Sequence, residues 1–383
     1  MEDVVIIGAG PGGLYAGLLL AQKGLGVSIL EEHEIPGEPV HCTGVLSADA
    51  FDEYNLPRNA ILNGLTSVTF FSPSGRTIHY APDKLEAVVI DRNVFDRALC
   101  VAAEGNGVRV IRGKKAVGVQ AHTDHICIET LDKTFRARAC ILACGANYAI
   151  QRRLGLGFPT TFLQSAQVEL PCRNAGEVEL YFGLNVAPRG FGWAVPIQRR
   201  SGSFVRVGLM CDRNAERHFY RLLHSIARQW GVELSAKPRL RMLPLAPIQR
   251  TFSDRLIAIG DAAGLVKPTT GGGIYFSVVS ARIATDVLAA GLENDELQSE
   301  SLSEYEARWK SKLGDELEAQ LTFRRLTDRL DDEQIEKLFR LAQTDGIIPL
   351  VRQTARFNQH RDLVLALLKH PVARQIFFRK LFG

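Results

Sequence analysis

Long hydrophobic runs are missing from this 383-residue chain. No apolar stretch approaches the roughly 20 residues that span a bilayer. The first β-branched run begins at Val4, which leaves no room for a secretory leader ahead of it. A cytoplasmic protein is therefore the expectation. Cysteine is scarce and unpaired in pattern: there are seven, an odd number, with no Cys-x-x-Cys spacing. Reduced thiols fit this better than a disulfide framework, and no structural metal is expected. Internal repeats and low-complexity segments are also lacking. No stretch interleaves aromatics with bases along an extended groove, which argues against nucleic acid as a partner.

Glycine, by contrast, is placed tellingly. Val4-Val5-Ile6-Ile7 reads as a strand, Gly8-Ala9-Gly10-Pro11-Gly12-Gly13 as a tight turn, and Leu14 to Gln22 as an apolar helix. Gly26-Val27-Ser28-Ile29-Leu30 reads as a second strand ending in Glu31. That carboxylate lies about 20 residues beyond the glycines, where a Rossmann unit places the acid that binds the adenosine ribose. One glycine of such a turn makes the bend, one lets a pyrophosphate approach, and one lets helix and strand pack closely. A turn without a ligand is the competing reading, and this context weakens it.

The second cradle lies far along the chain. Ile259-Gly260-Asp261-Ala262-Ala263-Gly264 is followed by Gly271-Gly272-Gly273 and a helix running from Ile274 towards Leu288. Free N–H groups at that helix start favour an anion, although Pro268-Thr269-Thr270-Gly271 acting as a simple helix cap would look the same. Together the cradles suit the two ends of one dinucleotide.

Fold class reads as α/β: a Rossmann-type dinucleotide-binding domain with an interleaved antiparallel-sheet substrate domain and a C-terminal helical region. The first uses residues 1–60, 81–160 and 245–290, the second 61–80 and 161–244, and the helical region 291–383. Leu65 to Tyr80 and Leu163 to Cys211 carry the strand and turn signals of a sheet that roofs the ligand. In the last region Ser301-Leu302-Ser303-Glu304 reads as a helix cap, and Asp331-Asp332-Glu333 opens a later helix.

These stations resemble the geranylgeranyl reductases, FAD-dependent members of the flavoprotein superfamily that also holds aromatic hydroxylases and flavin-dependent halogenases. Gly8 to Gly13 with Glu31 look like the adenosine end. Pro39-Val40-His41-Cys42-Thr43-Gly44 is similar to the family's Pro-x-x-Cys-x-Gly loop, and Asp91-Arg92-Asn93-Val94-Phe95-Asp96 to its Asp-Arg-x-x-Phe-Asp segment. Phe191-Gly192-Trp193-Ala194-Val195-Pro196 resembles its aromatic strand, and Gly260 to Gly264 with Pro268 to Ile274 completes the set. The resemblance implies FAD as cofactor. It places Gly8, Gly10, Gly12, Gly13 and Glu31 at the adenosine end and Asp261 on the ribityl hydroxyls. Cys42, Thr43, Val45, Ala116, Gly273 and Ile274 then touch the cofactor through backbone or packing. Arg92 serves its phosphates or the neighbouring loop, with a surface ion pair as the alternative.

The implied reaction is saturation of carbon-carbon double bonds in a geranylgeranyl-type chain on a lipid, quinone or pigment precursor. An isolated trisubstituted alkene is not electrophilic, so hydride transfer requires a proton at the other carbon. Cys42, with His41 beside it, is the local acid, directly or through a water relay, though a buried packing role for Cys42 is equally open. Phe191 and Trp193 alternate along one strand and so share a face that suits an isoprenoid tunnel, with Pro196 ending the strand.

One departure from the family is Ala143-Cys144-Gly145-Ala146-Asn147, where many relatives carry Ala-Asp-Gly. Loss of that carboxylate weakens a monooxygenase or halogenase reading, and no lysine matches the halogenases' catalytic one. With no second glycine fingerprint, NAD(P)H visiting the flavin directly or a small redox protein such as ferredoxin supplies the electrons. A non-catalytic flavin-containing lipid-binding protein is the third reading. The formal charge is +4, yet from Ile347 onward Arg352, Arg356, Arg361, Lys369, Arg374, Arg379 and Lys380 face only Asp362. With Ile376, Phe377, Phe378, Leu381 and Phe382 this end suits either a lipid headgroup layer or a seam packed on the protein.

Overall fold

The strand Glu2–Ile7 is buried from Val4 onward, as expected of a parallel strand covered on both faces. It pairs in parallel with Val27–Leu30 on one side (Val4↔Val27) and with Thr134–Leu142 on the other (Val4↔Ala139). The structure is a computed structural model and describes residues 1–344 and 347–378. Arg109–Ile111 and Leu256–Ala258 extend this central sheet at its flanks, also in parallel. An antiparallel hairpin of Ala116–Ala121 and Ile126–Thr130 branches from Thr134–Leu142. Helices Pro11–Gln22 and Ile274–Asn294 pack against each other beside it. Both glycine cradles thus open helices that share one packing layer.

The second sheet runs in the order Arg239–Pro244, Phe162–Pro171, Gly202–Cys211, Phe191–Arg199, Val178–Tyr181, Val68–Phe71, Thr77–Tyr80. Its pairings are antiparallel with one exception: Val178–Tyr181 meets Val68–Phe71 in parallel (Val178↔Val68). Those two strands come from distant segments and share no hairpin to force opposite directions. The amphipathic helix Ala215–Trp230 covers one face, burying Phe219, Leu222, Leu223 and Ile226 against Ala194, Val207 and Leu209. The other face carries Trp193, Val195 and Ile197 and looks inward. A small third sheet of Val45–Ser47, Ala87–Ile90 and Ile61–Leu65 joins the two. Ile61–Leu65 therefore pairs outside the sheet that takes Val68–Phe71 and Thr77–Tyr80.

Pro196 does not end its strand. Phe191–Arg199 continues past it, paired to Val205, because Val178–Tyr181 has already stopped pairing at Ala194 and the ladder there is one-sided.

The chain after Asn294 is helical: Ser299–Trp309, Asp315–Thr327, Asp332–Thr344, Ile347–Thr354, Arg361–Lys369 and Pro371–Phe378. The helix expected to be capped at Ser301 starts at Ser299, whose N–H donates to Asp254 at 2.7 Å. At the later helix Asp331 accepts from Gln334 N–H (2.9 Å) while the Gln334 side chain accepts from Asp331 N–H (3.1 Å), a reciprocal cap. Ile376 and Phe377 are buried, with Phe377 at 5.7 Å from the Phe323 ring, which favours the packed seam over lipid insertion for these two. Arg379, Lys380, Leu381 and Phe382 lie outside the described residues, as does the side chain of Phe378.

Contrary to the reading that no run could span a bilayer, Ile274–Asn294 is long and apolar enough by length and composition. Yet 56% of its most apolar window is buried inside the protein, the pattern of a core helix.

Candidate functional site

One cavity of about 830 Å³ joins the two glycine cradles. At the first, a Cβ on Gly8, whose φ is +106°, would lie 2.4 Å from the Ala143 carbonyl oxygen, and one on Gly13 would lie 2.0 Å from that of Gly8. A Cβ on Gly10 would meet nothing within 4 Å. Gly10 therefore leaves room for a ligand, whereas Gly13 lets helix and strand approach. Gly13 is absent from the cavity wall, so its expected cofactor contact is corrected to a packing role. Gly8, Gly10 and Gly12 do line it.

Glu31 stands at this end, 7% exposed. Its Oε2 accepts the Ala9 N–H at 2.8 Å and its Oε1 the His33 N–H at 2.9 Å, so the acid is fixed to the glycine turn itself. Ala116 closes the same stretch of wall.

The Pro39–Gly44 loop crosses mid-cavity, exposing His41, Cys42 and Thr43, with Val45 beyond it. It is held from the second sheet. Thr43 Oγ1 donates to Gln167 Oε1 at 2.6 Å, and Gln167 also receives Trp193 Nε1 at 3.3 Å. Arg206, buried and paired with Glu169 at 2.8 Å, donates to the carbonyls of Thr43 (2.6 Å) and Ile90 (3.0 Å). The Cys42 sulfur accepts the Gly44 N–H at 3.2 Å. Arg92 donates to both oxygens of buried Asp96 at 3.1 and 2.8 Å and lies against Cys42. The Asp-Arg-x-x-Phe-Asp segment is thereby explained: Asp91 caps the helix Arg92–Gly105, Phe95 is core, and Asp96 holds Arg92 at the cavity. The surface ion pair considered for Arg92 is instead a buried one.

His41 carries no charge at neutral pH. Burial, reinforced by Arg241 and Arg239, brings its pKa down to about 4, and its Nδ1 is buried without a partner. The imidazole is therefore neutral in the resting loop beside Cys42.

At the second cradle Gly273 caps Ile274–Asn294 without any side-chain cap, and a Cβ there would lie 2.4 Å from Asp261 Oδ1. Thr269 is engaged elsewhere, donating to Gln320 at 2.8 Å, so the Pro268–Gly271 stretch is not a side-chain cap. Burial raises Asp261 to about 6 against the pull of Arg92. Tyr148 fixes the same turn by donating to the Asp261 carbonyl at 2.6 Å. Asp261, Gly273 and Ile274 all line the cavity.

The far end is apolar. Phe191 and Trp193, ring centroids 5.8 Å apart, face it with Leu65, Val68, Leu180 and Leu243. A Cβ on Gly208 would clash with the Trp193 ring at 2.6 Å, so the absence of a side chain there seats the indole. Pro196 is not part of this wall: strand alternation turns it to the face opposite Trp193 and Val195. Sequence reasoning missed Lys267, Phe357, Asn358 and His360, which also line the cavity. Lys267 directly precedes the recognised Pro268 corner. The other three arrive from the helical region, where no local motif marks them. Cys144, in the departing segment, is held protonated by burial at a pKa of about 11.

Among the described residues one ligand-type cluster occurs away from the cavity: His122, His125 and Cys127, with ligand atoms within 4.8 Å of one another. Its two imidazoles stack in parallel at 4.6 Å, rather than converging edge-on as metal ligands do.

The cavity fits FAD on these grounds: a glycine with open space beside a fixed acid at one end, and an uncapped helix start behind a carboxylate at the other. Residues 1–312 match the model of the FAD binding domain family. The chain is 30% identical to digeranylgeranylglycerophospholipid reductase of Methanocaldococcus jannaschii, over 88% of this chain and 89% of that protein. It is also 30% identical to digeranylgeranylglycerophospholipid reductase 2 of Methanothermobacter thermautotrophicus, over 88% and 91%. In fold it is similar to a geranylgeranyl bacteriochlorophyll reductase-like protein of Thermoplasma acidophilum, with a TM-score of 0.85, 20% identity and 99% of each chain covered. A halogenase in complex with phloroglucinol and FAD shares the fold at a TM-score of 0.68 and 16% identity, over 99% of this chain and 85% of that one. The chain belongs to the geranylgeranyl reductase family of FAD-binding flavoproteins.

Proposed function

We propose that this protein is an FAD-dependent reductase that saturates carbon-carbon double bonds of a geranylgeranyl-type isoprenoid carried on a lipid, a quinone or a pigment precursor. The observation that carries this reading is the continuity of one cavity from two dinucleotide cradles to an apolar wall of Phe191, Trp193 and Leu180, with Cys42 between them. Bound FAD, recharged by NAD(P)H or a small redox protein, supplies the hydride. Cys42 gives the proton to the other alkene carbon, and Arg92 beside it stabilises the sulfur's resulting charge. Thr43, Gln167 and Arg206 hold the loop so that Cys42 keeps its place, while Phe191 and Trp193 exclude water from the reacting carbons. Glu31, Gly8, Gly10, Gly12 and Ala116 hold the adenosine half, and Asp261, Gly273, Ile274 and Val45 the other half. The protein works in the cytoplasm, meeting lipid-borne substrate at the membrane surface.

The test is anaerobic. With protein reduced by dithionite and supplied with geranylgeranyl lipids and quinones, products heavier by two hydrogens per bond are expected. No such product, together with oxygen-dependent turnover of an aromatic, replaces this reading with hydroxylation or halogenation. Bound lipid with flavin that stays reduced replaces it with a carrier role. Cys42→Ala is expected to keep FAD at one per chain and lose about a hundred- to ten-thousand-fold in turnover. Unchanged turnover removes Cys42 from the chemistry.

A further inference from the structure

Lys267 is a buried amine with no carboxylate at ion-pair distance among the described residues. It is 4% exposed and lines the cavity next to the triple-glycine corner. Its Nζ donates to the Phe357 carbonyl at 2.8 Å and lies 4.3 Å from the Phe357 ring centroid. The acid that acts on it electrostatically is Glu316 of Asp315–Thr327, whose oxygens already receive Gln320 Nε2 (2.6 Å) and the N–H groups of His360 and Arg361. His360, packed nearby, is kept neutral by burial and by Lys267 itself, and its Nδ1 meets Thr269 at 2.8 Å. Asp261 and Arg92, at the other side of the corner, act on each other.

An ammonium taken from water and offered one carbonyl and one ring is under-compensated. The cavity wall points to the missing partner. The Gly271 N–H donates to the Lys267 carbonyl at 2.8 Å, the Lys267 N–H to that of Gly272 at 3.1 Å, and a Cβ on Gly272 would lie 3.6 Å from Lys267 Cδ. The lysine side chain and the start of Ile274–Asn294 therefore lie side by side at the cavity wall, and an anion there completes both the amine and the free N–H groups.

We propose that Lys267 is the counter-ion of the reduced cofactor: neutral while the flavin is oxidised, it binds a proton from solvent when the flavin takes up electrons, and releases it when the substrate is reduced. The inference rests on the FAD reading above. Reduction to the negatively charged form takes two electrons and one proton, and Lys267 adds a second proton. Delivery of hydride removes the negative charge and returns that second proton to water. Burial, partly offset by Glu316, already brings Lys267 down to about 7, so a neighbouring negative charge moves its titration into the range above neutrality.

The test is the flavin potential of the FAD-loaded protein, measured by spectroelectrochemistry from about pH 7 to pH 9. One proton per two electrons changes the reduction constant tenfold per pH unit, or about 30 mV; the second proton makes this a hundredfold, or about 60 mV. The parent is expected to show the steeper slope and K267M the shallower one, with a lower potential. K267R, charged throughout, is expected to show the shallower slope with a higher potential. D261N is expected to keep the steeper slope. Equal slopes in parent and K267M, both with one FAD per chain, overturn the role of Lys267 and leave the reductase reading intact, as does loss of the steeper slope in D261N. A parent that fails to take up FAD overturns both.

Discussion

Gly10 and Gly13 lie in one turn and are chemically identical, yet the space around their missing side chains assigns them different work. Gly10→Ala is expected to fold normally, within about 1 kcal/mol of the parent, while filling the space a pyrophosphate needs and weakening FAD affinity. Gly13→Ala drives a methyl into the Gly8 carbonyl and is expected to destabilise the apo protein by about 3 kcal/mol or more. Thermal melts of apo protein beside FAD titrations separate the two. The sequence distinguishes these glycines only as positions in a pattern, because which of them faces open space and which faces the Gly8 carbonyl and, far along the chain, the Ala143 side chain is decided by how the turn folds. His41 marks the same limit. Its neighbourhood to Cys42 is legible, but its lowered pKa comes first from burial that no local signal carries and then from Arg241 and Arg239, about 200 residues on.

At the scale of elements, periodicity makes the Glu2–Ile7 strand, the helices behind each glycine run and the aromatic strand legible, since each depends on its own residues. Neighbour relations are less legible. The parallel join of Val178–Tyr181 to Val68–Phe71 and the strand's passage through Pro196 follow from which elements stop short, a property of the assembled sheet. Arg206 shows what such assembly does. From the middle of Gly202–Cys211 it reaches the carbonyls of Thr43 and Ile90, pinning the Pro39–Gly44 loop to the roof. Arg206→Leu leaves Glu169 with Arg199 alone and releases the loop. Loss of about 3–5 kcal/mol is expected by denaturant melts, with turnover falling more than FAD affinity. Turnover and loop proteolysis both unchanged would show that the loop holds itself.

The whole molecule carries a pH signature from histidines buried in neutral form. His41 and His360, each brought down to about 4 chiefly by burial, gain protons on unfolding in the window between about pH 4 and the ordinary value of about 6.5. The unfolded chain then binds more protons, so stability falls with acidity across that window and is fully present above it. Each contributes at most about 3 kcal/mol. Melting temperatures that rise from pH 4 to pH 6.5 and then level are expected, with the rise reduced in His360→Gln. A flat profile would mean that both rings are wet. The helical region was legible as helix but not as the source of cavity wall, because Phe357 and His360 reach the site only through long-range packing.

The middle of the central sheet is laid down out of order: Glu2–Ile7 pairs with Thr134–Leu142, which pairs in turn with Leu256–Ala258, and only then comes the corner at Gly271–Gly273. A nascent chain leaving the ribosome thus holds its adenosine turn long before the opposite clasp exists. Any fragment ending before Ile274 lacks that clasp and is expected to be colourless, whatever else of it has folded.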